Sequence, residues 1–477
     1  MRILTYFELY IEVDNTCYGN GVPTMTIKWL SLLFVLSAFS YTHAATIAAA
    51  SCNTSDVQTA INTATEGQTV TIPACSQTNW TSTVTITKGI ILQGAGVGNT
   101  IIGDNVPKGN ASNNCTGGPL FSWSVNAPNS FRMTGMTIVG VATDPDLCEK
   151  GHILVNGSTH SLRIDHITIN PAQTEGIYID GDLWGLVDHF TFTGNFITGV
   201  RVEHLNWNGT SGDNWGDNSW AAPISYGSYQ GIYVEDSSFT GTSTFASAAA
   251  LDCYSGGRIV FRHNTVNTLD MGSHGADSDQ RHRACRWMET YNNTFTYSTI
   301  NALGFISWIR GGSGVFYNNT ITASGYTNTI VQVANCRDAS AGCGSGPSYT
   351  PWGACNGSGK YDENSTGTGY ICVDQPGSGT SCQLGPDSSG TVTVAACSLN
   401  NNVAGGWTGN QLEPIYVWNN TLNGSSNNTT AGSTNVIANQ SYYSGTARPG
   451  YTPAAYPHPL QGGSAPAAPT TLKVTAQ

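Results

Sequence analysis

The chain has 477 residues, of which only 10% are charged, and its formal net charge is −12. Average globular proteins carry about 25% charge; here Gly, Ser, Thr and Asn fill the gap, which favours β-structure with tight turns over helices. An acidic, lysine-poor surface excludes nucleic acid as the expected partner.

Residues 1–24 carry no readable pattern and read as a misassigned start. Met25 opens a secretory signal over residues 25–44: MTIK is the charged start, WLSLLFVLSAF the apolar core, and Thr42-His43-Ala44 the cleavage site. That core is too short for a membrane span, and no later stretch reaches ~18 apolar residues. The expected mature protein is therefore secreted, extracellular or periplasmic, with no membrane span. Without Cys17, 12 of the 13 cysteines remain, an even number that suits disulfides. Cys52 with Cys75, Cys115 with Cys148, and Cys253 with Cys285 are candidate pairs. The remaining six lie in a Cys-rich insertion at about 336–397, whose spacing does not suit zinc.

Next comes a short helix. Ser55 to Gln58 (SDVQ) reads as a capping box, and Val57, Ala60, Ile61 and Ala64 form one apolar face. Strand-like TVTIP (69–73), TVTIT (83–87) and IILQGAG (90–96) follow.

Internal repetition dominates the rest. Eight segments align without gaps: FRMTGMTI (131–138), LRIDHITI (162–169), LVDHFTF (186–192), IYVEDSSF (232–239), VFRHNTV (260–266), TYNNTF (290–295), VFYNNTI (315–321) and IYVWNNTL (415–422). Most steps between them are 23 to 31 residues, about one circuit of a parallel β-helix. Apolar positions alternate and then skip one residue at a bend: Val234 points in, Glu235 and Asp236 make the bend, and Ser237 and Phe239 point in. After the bend Asn264, Asn293, Asn319 and Asn420 recur, which predicts a structural asparagine ladder. The expected fold is an all-β, single-stranded right-handed parallel β-helix over 45–445 with an N-terminal capping helix. Residues 446–477 read as a Pro/Ala-rich tail or linker. A monomer is expected.

The opening DVQTAIN…GQTVTIP…VTITKGIILQGAG, with GLVDHFTF and VFRHNTV, resembles the pectate-lyase-like β-helix superfamily over roughly 52–440. The resemblance implies the fold more specifically than the activity, since that superfamily holds lyases, hydrolases, esterases, epimerases and adhesins.

In the aligned register Thr134, Asp165, Asp188, Glu235 and Arg262 fall in one row, and Gly135, His166, His189, Asp236 and His263 in the next. Coils stack about 4.8 Å apart, so these become neighbours. Stacked carboxylates need a positive partner, which makes Asp165, Asp188, Glu235 and Asp236 a candidate Ca²⁺ site. The alternative is a hydrogen-bonded ladder with His on Asp and Arg262 on Glu235. The run 270–289, DMGSHGADSDQRHRACRWME, concentrates charge and is expected as a loop beside Arg262. Arg262, His263, His274, Asp277 and Arg281 are the candidate catalytic groups. Trp215, Trp220, Tyr226, Arg283 and Arg286 are candidates for substrate binding, with Tyr229 nearby.

Two chemistries fit an acidic polysaccharide. In β-elimination, favoured here, a cation neutralises a uronate and a base removes the adjacent proton. The pectate-lyase R-x-P-x-x-R element is absent, so the resemblance assigns no base. In hydrolysis, Ser273-His274-Gly275 and Asp252 resemble polygalacturonase elements, whose paired aspartate and Arg-Ile-Lys are missing. A non-catalytic carbohydrate-binding, adhesin or structural β-helix is the third reading.

Overall fold

The computed structural model describes residues 45–109, 117–141, 151–194, 198–203, 219, 224–241, 249–274, 284–297, 305–324, 329–336, 362–363, 371–372, 375–377, 412–433 and 436–462. Their regular structure is mostly β-strand, with one α-helix, Thr54–Thr63. Among them the chain alternates between two sheets of parallel strands, consistent with a β-helix. Leu162–Ala172 and Gly185–Asp188 belong to the longer sheet, and Ile177–Gly181 between them to the shorter. Each circuit then pairs with the next, Ile164 with Val187 and Ile179 with Val202. The inward residues Ile164, Val187, Val234 and Phe261 stack in one column, all fully buried. A single circuit could not bury them; the stack does.

The longer sheet folds at one corner. There His166, His189, Asp236, His263, Asn292, Asn318 and Asn419 take positive φ, between 50° and 58°. Asn, Asp and His tolerate this left-handed geometry better than most side chains. The asparagine ladder sits just inside the corner. The Asn264 amide N–H donates to Asn293 Oδ1 at 2.9 Å, Asn293 N–H to Asn319 Oδ1 at 3.0 Å, and Asn319 N–H to Asn420 Oδ1 at 3.0 Å.

The helix buries Val57, Ala60 and Ile61 against the first coil, as its periodicity predicts. The capping box does not form. Asn53 is the N-cap, and Gln58 pairs with both backbone groups of Thr85, accepting at 2.9 Å and donating at 2.9 Å. An exposed strand edge gains more from that bidentate pairing than a helix end with solvated amides would. Disulfides join Cys52 to Cys75 and Cys253 to Cys285. Cys115, Cys148 and most of the Cys-rich insertion lie outside the described residues.

Residues 446–462, expected as the start of a tail or linker, lie instead as a strap along the longer sheet. Tyr451 stands edge-on to Tyr317 and Trp418, at 5.6 and 6.0 Å. Arg262 donates to Ala454 O and Ala455 O, the His458 amide to Glu235, and Arg163 to Leu460 O. The strap thus runs back over the coils that precede it. Among the described residues no helix is long and apolar enough to cross a membrane.

Candidate active site

The predicted row is real: Thr134, Asp165, Asp188, Glu235 and Arg262 are register partners on successive strands. It is not an exposed face, however. Asp165, Asp188, Glu235 and Arg262 are all fully buried. Arg132 grips Asp165 through Nε at 2.6 Å and Nη2 at 2.7 Å, and Arg163 grips Asp188 at 3.0 Å through both nitrogens. Arg262 Nε donates to Glu235 at 2.6 Å, and its Nη1 to the Tyr291 hydroxyl at 3.0 Å. Burial works to raise the Asp165 pKa, but the hydrogen bonds from Arg132 and His166 and the charges of Arg163 and Arg132 together outweigh it, and the carboxyl is held low. Burial prevails at Glu235, which is raised in spite of Arg262.

Arginine therefore supplies the positive partner that stacked carboxylates require. The donor set does not suit calcium, because its oxygens already accept from guanidinium groups and backbone. Asp236 is engaged too, accepting from Tyr456 at 2.6 Å and Gln461 at 2.7 Å. Among the described residues no group of three or more His, Cys, Asp or Glu is arranged to hold a metal.

His263 stacks on Tyr456 of the strap, with ring centroids 3.8 Å apart. Tyr226 is bonded to Ser313 at 2.9 Å under Arg448, and Arg286 to Glu413 at 2.8 Å. Trp215, Trp220, Asp277, Arg281 and Arg283 lie outside the described residues.

His274 is elsewhere. The run 270–289 does not form one loop beside Arg262. Asp270–Ser273 is a strand of the shorter sheet, and Trp287–Tyr291 a strand of the longer one. The outward residues of the shorter sheet make two rows. One reads Tyr178, Arg201, Asp252, Gly272 and Trp308. In the other, Asp180, Glu203 and Tyr254 are register partners, and His274 and Arg310 follow one residue beyond the paired Cys253, Ser273 and Ile309.

The rows are cross-linked. Asp252 Oδ1 lies 2.8 Å from His274 Nδ1, and Arg201 Nη2 lies 3.6 Å from Asp252 Oδ2. Arg201 also pairs with Glu175, and its guanidinium carbon sits 5.6 Å from the Tyr178 ring and 4.6 Å from the Tyr254 ring. Tyr178 donates to Glu203 at 2.7 Å; burial, then the charges of Glu203 and Asp180, push its pKa well up. Arg310 Nε donates to Ser273 O at 2.8 Å.

The chain matches no protein-family model, no curated protein and no solved structure.

The chemistry is therefore read from the residues alone. A carboxylate acceptor on Nδ1 fixes the imidazole tautomer and turns Nε2 outward. The His274 side chain keeps 23% of its surface exposed, while Asp252 behind it keeps 4%. An oriented, part-exposed base with a buried carboxylate behind it, and an arginine on the next coil, is an acid–base constellation. Sequence reasoning found His274 and weighed Asp252. It missed Tyr178, Arg201, Glu203, Tyr254, Trp308 and Arg310. The available signal was polar residues alternating with core positions, as in IYID (177–180), VRVE (200–203) and LDCY (251–254).

Proposed function

We propose that the protein is a secreted right-handed parallel β-helix of the pectate-lyase-like kind that cleaves an acidic polysaccharide by β-elimination. The observation that carries this reading is the Asp252–His274 pair on the outer face of the shorter sheet, with Arg310 one coil further on.

Arg310 neutralises the uronate carboxylate, which acidifies the C–H beside it. His274 Nε2 takes that proton as Asp252 steadies the imidazolium through Nδ1–H. The electron pair forms the new C=C bond and the bond to the glycosidic oxygen breaks. Tyr254, edge-on to His274 at 5.9 Å, returns a proton to the departing oxygen. Arg201 does not touch substrate in this scheme; it holds Asp252 in place.

The test is a panel of uronate polymers. Wild type should generate the absorbance of an unsaturated uronate, and His274→Ala should abolish it without altering the circular dichroism spectrum. New reducing ends without that absorbance would replace elimination with hydrolysis. Binding without either product would leave a non-catalytic carbohydrate-binding protein.

A further inference from the structure

The outward row of the shorter sheet has a gap. Asp252, Gly272 and Trp308 are register partners on three successive coils. Gly272 puts no side chain between the other two. A Cβ built there would meet Asp252 Oδ1 at 3.7 Å and Leu251 O at 4.0 Å, and no other described atom within 4 Å. Two coil spacings, about 9.6 Å, separate the flanking residues, which leaves room for one sugar ring. Gly272 and Trp308 are part-exposed, so the gap opens outward.

Its polar groups are particular. Asp270 precedes Gly272 by two residues, hence on the same side of the strand, with Met271 and Ser273 buried on the other. Asp270 is 6% exposed, and its Oδ1 has no hydrogen-bond partner. Burial raises its pKa well above the ordinary carboxylate range. On the far wall Trp308 keeps an indole N–H that is buried and without a partner. The Arg310 guanidinium carbon lies 4.4 Å from the Trp308 ring.

We infer that this gap is a subsite for one neutral sugar, next to the uronate bound at His274 and Arg310, so that the substrate is a polymer in which uronate and neutral sugar adjoin. The inference rests on the proposed lyase reading. A carboxylate in the gap would face the Asp252 carboxylate and be repelled; a hydroxylated ring stacks on Trp308 and gives the Asp270 carboxyl the partner it lacks.

The experiment compares a polymer alternating uronate with neutral sugar against a homopolymer of uronate. Cleavage is read as unsaturated-uronate absorbance, and binding by affinity electrophoresis. The alternating polymer should be cleaved with the lower KM. Gly272→Val, which fills the gap, should raise that KM roughly ten-fold while changing kcat little. Asp270→Asn, neutral and of equal size, should bind like wild type, and Asp270→Ala more weakly. Equal KM for both polymers, or a Gly272→Val KM equal to wild type, overturns the subsite. If neither polymer is cleaved, the lyase reading fails by itself. The subsite then stands if Gly272→Val weakens binding of the alternating polymer, and falls if that polymer binds both proteins alike or neither.

Discussion

Asp252 holds His274 by its Nδ1 at 2.8 Å, across the step from one coil to the next. Asp252 lies on one strand of the shorter sheet and His274 directly follows the next, so the pair exists only once the coils have stacked.

This pair should control turnover rather than folding. Asp252→Asn keeps the size of the side chain but loses the charge that steadies the imidazolium. It should lower kcat by about 10²- to 10⁴-fold with KM little changed. Steady-state kinetics on a cleaved polymer checks this, and wild-type kcat in Asp252→Asn would remove the dyad from the mechanism.

Arg262 should matter to stability. It is fully buried and bridges Glu235, Tyr291 and the strap carbonyls of Ala454 and Ala455. Arg262→Ala leaves Glu235 buried without its cation and should cost about 3–5 kcal/mol in denaturant unfolding. Ending the chain at residue 445 should destabilise in the same direction, because it uncovers this pair.

Glu289 should make stability fall with rising pH. Burial pushes its carboxyl up from 4.5 to about 7, although Tyr451 and the Gly227 amide donate to it. Between those values the folded chain holds a proton that the unfolded chain releases. The stabilisation is complete below 4.5, is lost as pH rises to about 7, and changes no further above that. The loss is on the order of 3 kcal/mol. Urea unfolding across this range should show the decline, and Glu289→Gln should flatten it.

The asparagine ladder should be cooperative. Asn293 Nδ2 donates to Phe261 O at 2.9 Å, and its Oδ1 accepts from Asn264. Asn293→Ala strands these buried backbone groups and should cost about 1–3 kcal/mol for each group left unpaired. The double variant with Asn319→Ala should cost less than the sum of the singles, since both remove the shared Asn293–Asn319 bonds. Strict additivity would mean that the rungs act independently.

Much of the architecture is legible in the chain. The eight aligned segments specify which residues stack, and Asp165, Asp188, Glu235 and Arg262 are register partners where the alignment puts them. In-and-out alternation and the skipped residue at the corner are local properties of strands, so they are written in neighbouring residues. The same alignment shows that these carboxylates adjoin and is silent on what neutralises them. Arg132 and Arg163 sit two residues before Thr134 and Asp165 in their own segments, yet each reaches across to the carboxylate of the following coil. The SDVQ box failed for a related reason: Gln58 found Thr85, 27 residues away, in place of the helix end.

The sequence by itself determined the circuit length, the inward and outward rows and the corner residues, while it offered the two disulfides only as candidate pairs. The repeat encodes circuit, rows and corners at short range, and every coil restates them. Only the tertiary structure decided which row is open. The strap covers the row from Asp188 to Arg262 through bonds such as Arg163 to Leu460 and Arg262 to Ala454, the latter 192 residues apart, and no repeat encodes a contact made once. With those carboxylates buried, the longer sheet exposes corner imidazoles such as His166 and His189, and the shorter sheet exposes His274 beside the bare backbone of Gly272.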